Sequence, residues 1–142
     1  MNQLPGLSPA FIEQTKAIVD EVAAFILHER LTFGPEKVEH KGPSDLVSYV
    51  DRKAETMLRE AFETLLPGAG FIGEEGGDHG SSSPWRWIVD PLDGTTNFIH
   101  NVPAYCVSVG LQHAGETVLG IVHEVPHGEV FWAVKGQGSY LN

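Results

Sequence analysis

Two aspartates stand three positions apart in the stretch WIVDPLDGTTNF, residues 87–98. Asp90 and Asp93 follow the apolar run RWIV, and Glu74 and Glu75 follow the apolar run GFI in the same way. Carboxylates held close together cannot all stay ionised without a compensating cation, and hard divalent ions such as Mg²⁺ bind oxygen ligands of this kind. If both strands end at the same edge of one sheet, these acids form a candidate Mg²⁺ site.

The residues around Asp93 predict an anion site beside the cation site. Pro91 fixes its own φ and restricts Asp90, so we expect a stiff turn. Gly94 lets a ligand approach the backbone, and residues 95–97 are typical of the first turn of a short helix with free N–H groups. A phosphate suits both sites, because metal binds it on one side and amides on the other. The alternative is that Asp93 caps a helix and the other acids are ordinary solvated carboxylates.

Three other motifs are rejected as catalytic sites. The HExxH pattern of residues 123–127 contains Pro126 and has strand-like flanks, which favours a hairpin turn with surface polar residues over a zinc-binding helix. The serines at 81–83 lack a G-x-S-x-G elbow and lie in a Gly/Ser-rich loop, so we expect a flexible tip. Cys106 alternates with valines and is typical of a small buried apolar residue.

Composition limits the class of protein. The 142 residues are 42% hydrophobic, enough for one domain with one core. The 9 basic and 19 acidic residues give a formal net charge of −10, which argues against nucleic acid as a partner. A single cysteine excludes an intramolecular disulfide and fits a reducing cytoplasm. The first residues do not resemble a signal peptide and no apolar run approaches the ~18 residues of a membrane span, so we expect a cytoplasmic protein with no membrane partner.

The sequence pattern predicts two helices followed by strands. A Ser-Pro start and apolar spacings of three and four predict a helix over residues 9–30, and a second amphipathic helix covers residues 51–66. Residues 32–44, with two Gly-Pro pairs, are predicted to be a loop. Short β-branched and aromatic segments predict antiparallel strands of one sheet. These segments are residues 70–73, 86–90, 104–113, 117–125 and 129–135. The predicted fold class is α+β, with both helices packed on one face of a largely antiparallel sheet.

The stretch WIVDPLDGTTNF resembles the metal-binding signature of the inositol monophosphatase family, within the lithium-sensitive, Mg²⁺-dependent phosphatase superfamily. DLVSYVD resembles the segment before that family's second helix, FIGEE its metal-ligand glutamate motif, and GIVHEVPHGEVFWAVKGQGSYLN its strands past the signature. Order and spacing agree from about Glu13 to the last residue. The resemblance implies a single domain over residues 1–142 that forms the first α/β layer of the layered αβαβα sugar-phosphatase fold, with the C-terminal part absent.

The resemblance also implies a set of metal ligands. The first metal is bound by Glu74, Asp90 and the main-chain carbonyl of Leu92, and the second by Asp93 with Asp90. Lys41, in the predicted loop, corresponds to a position that helps with a more weakly held third ion. The implied cofactor is therefore two or three Mg²⁺ ions, with Li⁺ as an inhibitor.

Phosphate contacts are implied for Leu92, Asp93, Gly94, Thr95 and Lys41, with the backbone amides of Gly94 and Thr95 holding the phosphate. The implied mechanism is in-line attack on a phosphate monoester by a metal-activated water, without a covalent phosphoenzyme.

Catalytic roles are implied for Asp51, Thr95 and Glu74. Asp51 and Thr95 match the pair that orients and deprotonates the attacking water. Asp51 would equally suit the N-cap of the second predicted helix, and both roles are compatible.

The implied function is hydrolysis of inositol monophosphate or a similar polyol phosphate, by an enzyme expected to form a homodimer. DGTTNF favours this group over two others in the superfamily. The bisphosphate nucleotidases tend to have Lys-Glu-Phe after DGT, and the archaeal-type fructose bisphosphatases tend to have Ser in place of the first Thr. Family members are nearly twice as long, and the absent half supplies another aspartate to the second metal. The alternative is therefore a truncated, weakly active or inactive metal- and anion-binding domain that needs a second chain.

Overall fold

The computed structural model describes residues 7–32, 35–74 and 82–142, with side chains described outside 35–44 and 46. Three helices and six strands lie within these ranges: α1 Pro9–Leu31, α2 Pro35–Leu65, β1 Gly70–Ile72, β2 Trp85–Asp93, α3 Thr95–Ile99, β3 Cys106–His113, β4 Glu116–Glu124, β5 Glu129–Val134 and β6 Ser139–Leu141.

The first helix confirms the prediction made for residues 9–30. Ser8 is its N-cap, and the Ser8 hydroxyl accepts a hydrogen bond from the Phe11 N–H at 3.1 Å. Pro9 occupies the first helical position, where no N–H is needed. The buried face includes Val19 and Ile26, so the apolar residues at the predicted spacing form the face that packs against the core.

The predicted loop over residues 32–44 is wrong, because α2 begins at Pro35. A proline at the first helical position lacks only an N–H that has no intrahelical partner there. The helix also continues through residues 45–50, since Val50 extends the fully buried stripe formed by Ala54 and Leu58 at spacings of four. The second predicted helix is therefore the C-terminal half of a longer one.

The six strands form one sheet in the order β1-β2-β3-β4-β5-β6. Strand β1 pairs in parallel with β2, and the other four pairings are antiparallel, so the sheet is mixed. Helix α1 packs against β3 and β4, and α2 packs against β2. The predicted α+β class, with a largely antiparallel sheet, is thus confirmed. The opposite face of the sheet exposes apolar side chains, among them Ile88, Val122 and Phe131.

Trp87 joins the two long helices to the strand that carries the site. Its ring stacks on Phe62 of α2 with a centroid distance of 3.9 Å and faces Phe11 of α1 at 6.1 Å. All three rings are buried. Aromatic pairs of this kind add about 0.5–1.5 kcal/mol beyond their buried area, so β2 is firmly held three residues before Asp90.

The motifs rejected as catalytic lie in ordinary structural positions. The HExxH segment spans the end of β4 and the turn before β5, which confirms a hairpin. His123 is nevertheless buried, with its Nδ1 atom 2.9 Å from Asp20 Oδ1 of α1. The prediction that it is a surface residue is therefore wrong. Ser83 accepts a hydrogen bond from the Trp85 N–H, while Ser81 lies outside the described residues. No helix in the described part of the chain has both the length and the apolar character to cross a membrane.

Candidate functional site

A β-bulge brings Asp90 and Asp93 to the same side of the sheet. Residues three apart in a regular strand point to opposite faces. Here Asp90 pairs with Ser108 and Asp93 with Cys106, so three steps along β2 match two along β3. The extra residue on β2 places Asp93 on the same side of the sheet as Asp90. Pro91 lies in the bulge, where a strand tolerates proline. The predicted stiff turn is therefore a bulged strand end.

Asp90 lies in a half-buried, negatively charged environment. Burial is the main cause that raises its pKa above the usual value, and the charge of Asp93 raises it further. Hydrogen bonds from the Leu92 N–H and with the Glu74 side chain act in the opposite direction. The Asp90 Oδ1 atom is buried and has no hydrogen-bond partner among the described residues. No positively charged side chain of the described ranges is among the causes that act on this pKa, so a bound cation would compensate the charge.

Glu74 reaches Asp90 because β1 and β2 are parallel. Both strands therefore end at the same edge of the sheet, and Glu74 follows β1 after Gly73 alone. The common edge agrees with the sequence-based expectation, but the prediction that all the strands are antiparallel is wrong for residues 70–73, because β1 is parallel to β2. Glu74 is exposed, which leaves its carboxylate accessible to a ligand from solvent. Glu75 lies outside the described residues.

Gly94 connects the bulged strand to α3 in a conformation that favours glycine. Its φ is +96°, and it is the N-cap of α3 with no side-chain capping bond, so the alternative in which Asp93 caps the helix is wrong. A Cβ at this position would lie 2.9 Å from the Ala104 carbonyl oxygen and 3.2 Å from Tyr105 Cα. The backbone is thus packed too closely for any side chain. Thr95 begins α3, as predicted, and is half-buried.

Two side-chain hydrogen bonds hold α3, a helix too short to be stable alone. Asn97 Nδ2 donates to the Ala104 carbonyl at 2.8 Å, and Arg30 Nη1 of α1 donates to the Phe98 carbonyl at 3.3 Å. The Phe98 ring is buried and packs edge-on against Tyr105 at 5.4 Å. Nothing in the local sequence around Arg30 indicates this role, because the segment that it binds lies 68 residues away.

Asp51 lies in the middle of α2 rather than at its start, so the N-cap alternative is wrong. It is only 7% exposed, and Glu55 one turn later is 4% exposed. Acids are almost never fully buried unless they have a partner. Helix α2 packs against α3, which brings the helix that carries Asp51 beside the helix that Thr95 begins. Glu55 is not among the predicted site residues, although its spacing from Asp51 follows the helical repeat.

The other two predicted site residues differ in what the structure describes. Leu92 has a buried side chain, so any ligand contact must come from its main chain. The backbone of Lys41 lies within α2, which corrects its assignment to a loop. The side chain of Lys41 lies outside the described part, and its role stays a prediction.

Across the described ranges, no three His, Cys, Asp or Glu side chains converge tightly enough to surround one ion. The described acids form a pair, Glu74 and Asp90, with Asp93 as a charged neighbour. Such a pair still suits Mg²⁺, which is usually held by one or two carboxylates, several waters and substrate phosphates. Asp93 and Gly94 also border an open cleft of about 560 Å³ that can admit a ligand.

Cys106 lines the same cleft, next to Asp93 in the neighbouring strand. Burial raises the pKa of the Cys106 thiol to about 11, and the charges of Asp93, Asp90 and Glu124 contribute in the same direction. The thiol is therefore protonated at neutral pH and is a poor nucleophile. The sequence pattern predicts a small buried residue, but Cys106 is only partly buried in the structure.

The fold and the site define an α+β protein with a hydrogen-bonded pair of carboxylates at one edge of its sheet. Comparison with known sequences supplies the family. The family model described as "Inositol monophosphatase family" matches residues 10–142, and the chain belongs to that family.

Named relatives and solved structures agree with this assignment. An inositol-1-monophosphatase from Rhizobium meliloti (strain 1021) is 47% identical over 107 residues, which are 75% of this chain and 40% of that protein. A fructose-1,6-bisphosphatase/inositol-1-monophosphatase from Aquifex aeolicus (strain VF5) is 42% identical over 107 residues, again 75% of this chain and 40% of that protein. One solved structure is the crystal structure of the extragenic suppressor protein suhB from Bartonella henselae, which superposes on this chain with a TM-score of 0.82 at 30% identity. The superposition covers 94% of this chain and 51% of that one. The chain thus spans about two fifths to half the length of these proteins.

Proposed function

We propose that this chain carries the metal- and phosphate-binding part of a Mg²⁺-dependent enzyme that hydrolyses a phosphate monoester. Family membership supports a phosphoric monoester hydrolase, and the relatives' names favour inositol monophosphate or a similar polyol phosphate. The observation that carries the proposal is the environment of Asp90. A half-buried carboxylate that is hydrogen-bonded to Glu74 and close to Asp93 is well suited to bind a cation.

The donor atoms around Asp90 fit a hard divalent cation. Two carboxylates in hydrogen-bond contact require either a shared proton or a cation between them. The buried Asp90 Oδ1 atom has no hydrogen-bond partner in the described ranges and is free for a ligand. Glu74, Asp90, Asp93 and the main-chain carbonyl of Leu92 are the groups that would hold Mg²⁺. When bound, Mg²⁺ withdraws negative charge from the phosphate and makes nearby water more acidic.

The residues after the bulge bind the phosphate. The backbone N–H groups of Gly94 and Thr95 donate to the phosphate oxygens, and close packing against Ala104 and Tyr105 holds the Gly94 backbone in place. The Thr95 hydroxyl orients the attacking water, and the buried carboxylate of Asp51 accepts the proton that the water loses. Attack is in line with the bond to the leaving alcohol, so no residue forms a covalent intermediate.

Phosphate release tests the proposal. The chain of residues 1–142 is expected to release phosphate from inositol monophosphate with Mg²⁺, and to stop when EDTA removes the ion. Asp90→Asn is expected to lower the rate at least 100-fold, because it removes charge at the centre of the site. Glu60→Gln, the same kind of change at an exposed position of α2, is the control and should leave the rate unchanged. Release that does not depend on Mg²⁺ or on Asp90 would refute the proposal.

A second substrate has a specific observation in its favour, since the Aquifex aeolicus relative is named for fructose-1,6-bisphosphatase as well. Fructose 1,6-bisphosphate therefore belongs in the same assay. Binding of Mg²⁺ without turnover of either substrate would instead favour the metal- and anion-binding domain that needs a second chain. We extend the proposal to a homodimer in solution, which sedimentation equilibrium would test.

A further inference from the structure

Glu55 is a buried acid that the proposed mechanism does not use. Its Oε2 atom accepts from Arg59 Nη2 at 3.3 Å, one turn later in α2. The Arg59 guanidinium in turn lies over the ring of Phe71 in β1, 4.9 Å from its centroid. The ion pair neutralises the buried charge and connects α2 to the short strand that leads to Glu74.

The Glu55 carboxylate lies directly against the backbone of Gly73. A Cβ at Gly73 would overlap the carboxylate and lie 3.1 Å from Glu55 Cγ. Glu55 is 4% exposed and paired with Arg59, so it has little room to move aside. Gly73 is therefore the residue that allows this close contact, and it is the residue immediately before Glu74.

We propose that Glu55 is a positioning residue for Glu74. Glu55 and Arg59 fix the end of β1 and the Gly73 backbone, and so direct the Glu74 carboxylate toward Asp90. Glu55 itself does not touch the metal in this assignment; it acts through Glu74. The inference rests on the proposed role of Glu74 as a metal ligand, and it adds a residue from α2 to the support of that ligand.

Titration with Mn²⁺, followed by electron paramagnetic resonance of the free ion, tests the proposal on the 142-residue chain. Partners that orient a metal ligand typically change metal affinity by about 10–100-fold when replaced, so Glu55→Gln is expected to weaken Mn²⁺ binding about 10-fold. Glu60→Gln, at an exposed acid of the same helix, should change it less than twofold. In a Glu74→Gln background, Glu55→Gln should have no further effect, because the ligand on which it acts is gone.

A purely structural role gives a different result. Glu55→Gln would then weaken Mn²⁺ binding by the same factor with and without Glu74, or would lower the unfolding temperature without changing affinity, and either outcome would overturn the inference. Gly73→Ala provides an independent test, since it displaces the Glu55 carboxylate but keeps both charged groups. We expect a similar loss of affinity, and a folded Gly73→Ala protein that binds Mn²⁺ normally also refutes the assignment. If Glu74→Gln alone leaves Mn²⁺ binding unchanged, the proposed metal site itself is wrong.

Discussion

Replacing Gly94 by alanine tests the close packing on which the site depends. Its φ of +96° is a left-handed conformation, which costs a residue with a side chain roughly 1–2 kcal/mol. The new Cβ would also lie 2.9 Å from the Ala104 carbonyl oxygen and 3.2 Å from Tyr105 Cα. Both contacts are with backbone, so relief requires a shift of the chain, at the roughly 1–3 kcal/mol typical of overpacking. The expected loss in the free energy of unfolding is therefore about 2–5 kcal/mol.

A second glycine separates the two contributions. Gly115 has φ +83°, but a Cβ there would meet nothing within 4 Å. Gly115→Ala should cost only the conformational part, about 1–2 kcal/mol. Urea unfolding of both variants, followed by circular dichroism, measures the difference, in which effects on the unfolded state cancel. Equal destabilisation of the two variants would refute the close-packing argument. Mg²⁺-dependent binding of inorganic phosphate should weaken for Gly94→Ala only.

Substitutions at three further positions test the contacts that hold the helices. Asn97→Asp removes the donor of the 2.8 Å hydrogen bond to the Ala104 carbonyl and should cost about 1–3 kcal/mol in urea unfolding; an unchanged midpoint would show that this bond does not hold α3. Phe62→Ala removes the ring stacked on Trp87 and should cost about 3–5 kcal/mol, with a change in tryptophan fluorescence; a loss below 1 kcal/mol would contradict the stack as a main contact. Ser8→Ala removes the N-cap of α1 and should cost about 1 kcal/mol in thermal unfolding, whereas Ser8→Asp should restore it.

The sequence predicts helices well where start signals and periodicity agree. In α1 the Ser-Pro start and the apolar spacing mark the same boundary, and the prediction is correct to within one residue. In α2 the Gly-Pro pairs in residues 32–44 were interpreted as breakers. Proline both stops a helix and starts one, and only the apolar stripe beyond it decides between the two. That stripe extends back through Val50, which lies just before the predicted start of the second helix at residue 51.

The spatial arrangement of the site is harder to predict from sequence than the residue types that form it. The spacing of Asp90 and Asp93 would put them on opposite faces of a regular strand, and only the bulge at Pro91 brings them together. Strand direction is equally hidden, because the short β1 carries no signal that distinguishes parallel from antiparallel pairing. The meeting of Glu74 with Asp90 depends on that direction, so the sequence motifs indicate the two carboxylates and the pairing of the strands brings them together.

An acid on an apolar helical face is informative only if the helix boundary is right. Placed at the start of a helix, Asp51 needs no explanation beyond capping, and Glu55 is then an ordinary first-turn acid. Placed in the middle of α2, both lie beside the buried stripe, where a carboxylate costs free energy unless it has a partner. Extending α2 toward its true start would therefore have predicted a buried role for both acids, and an arginine one turn after Glu55 as a partner. With the helix boundary misplaced, nothing indicates a role for Glu55, because a carboxylate near a helix start needs no charged partner. A carboxylate in the core does need one.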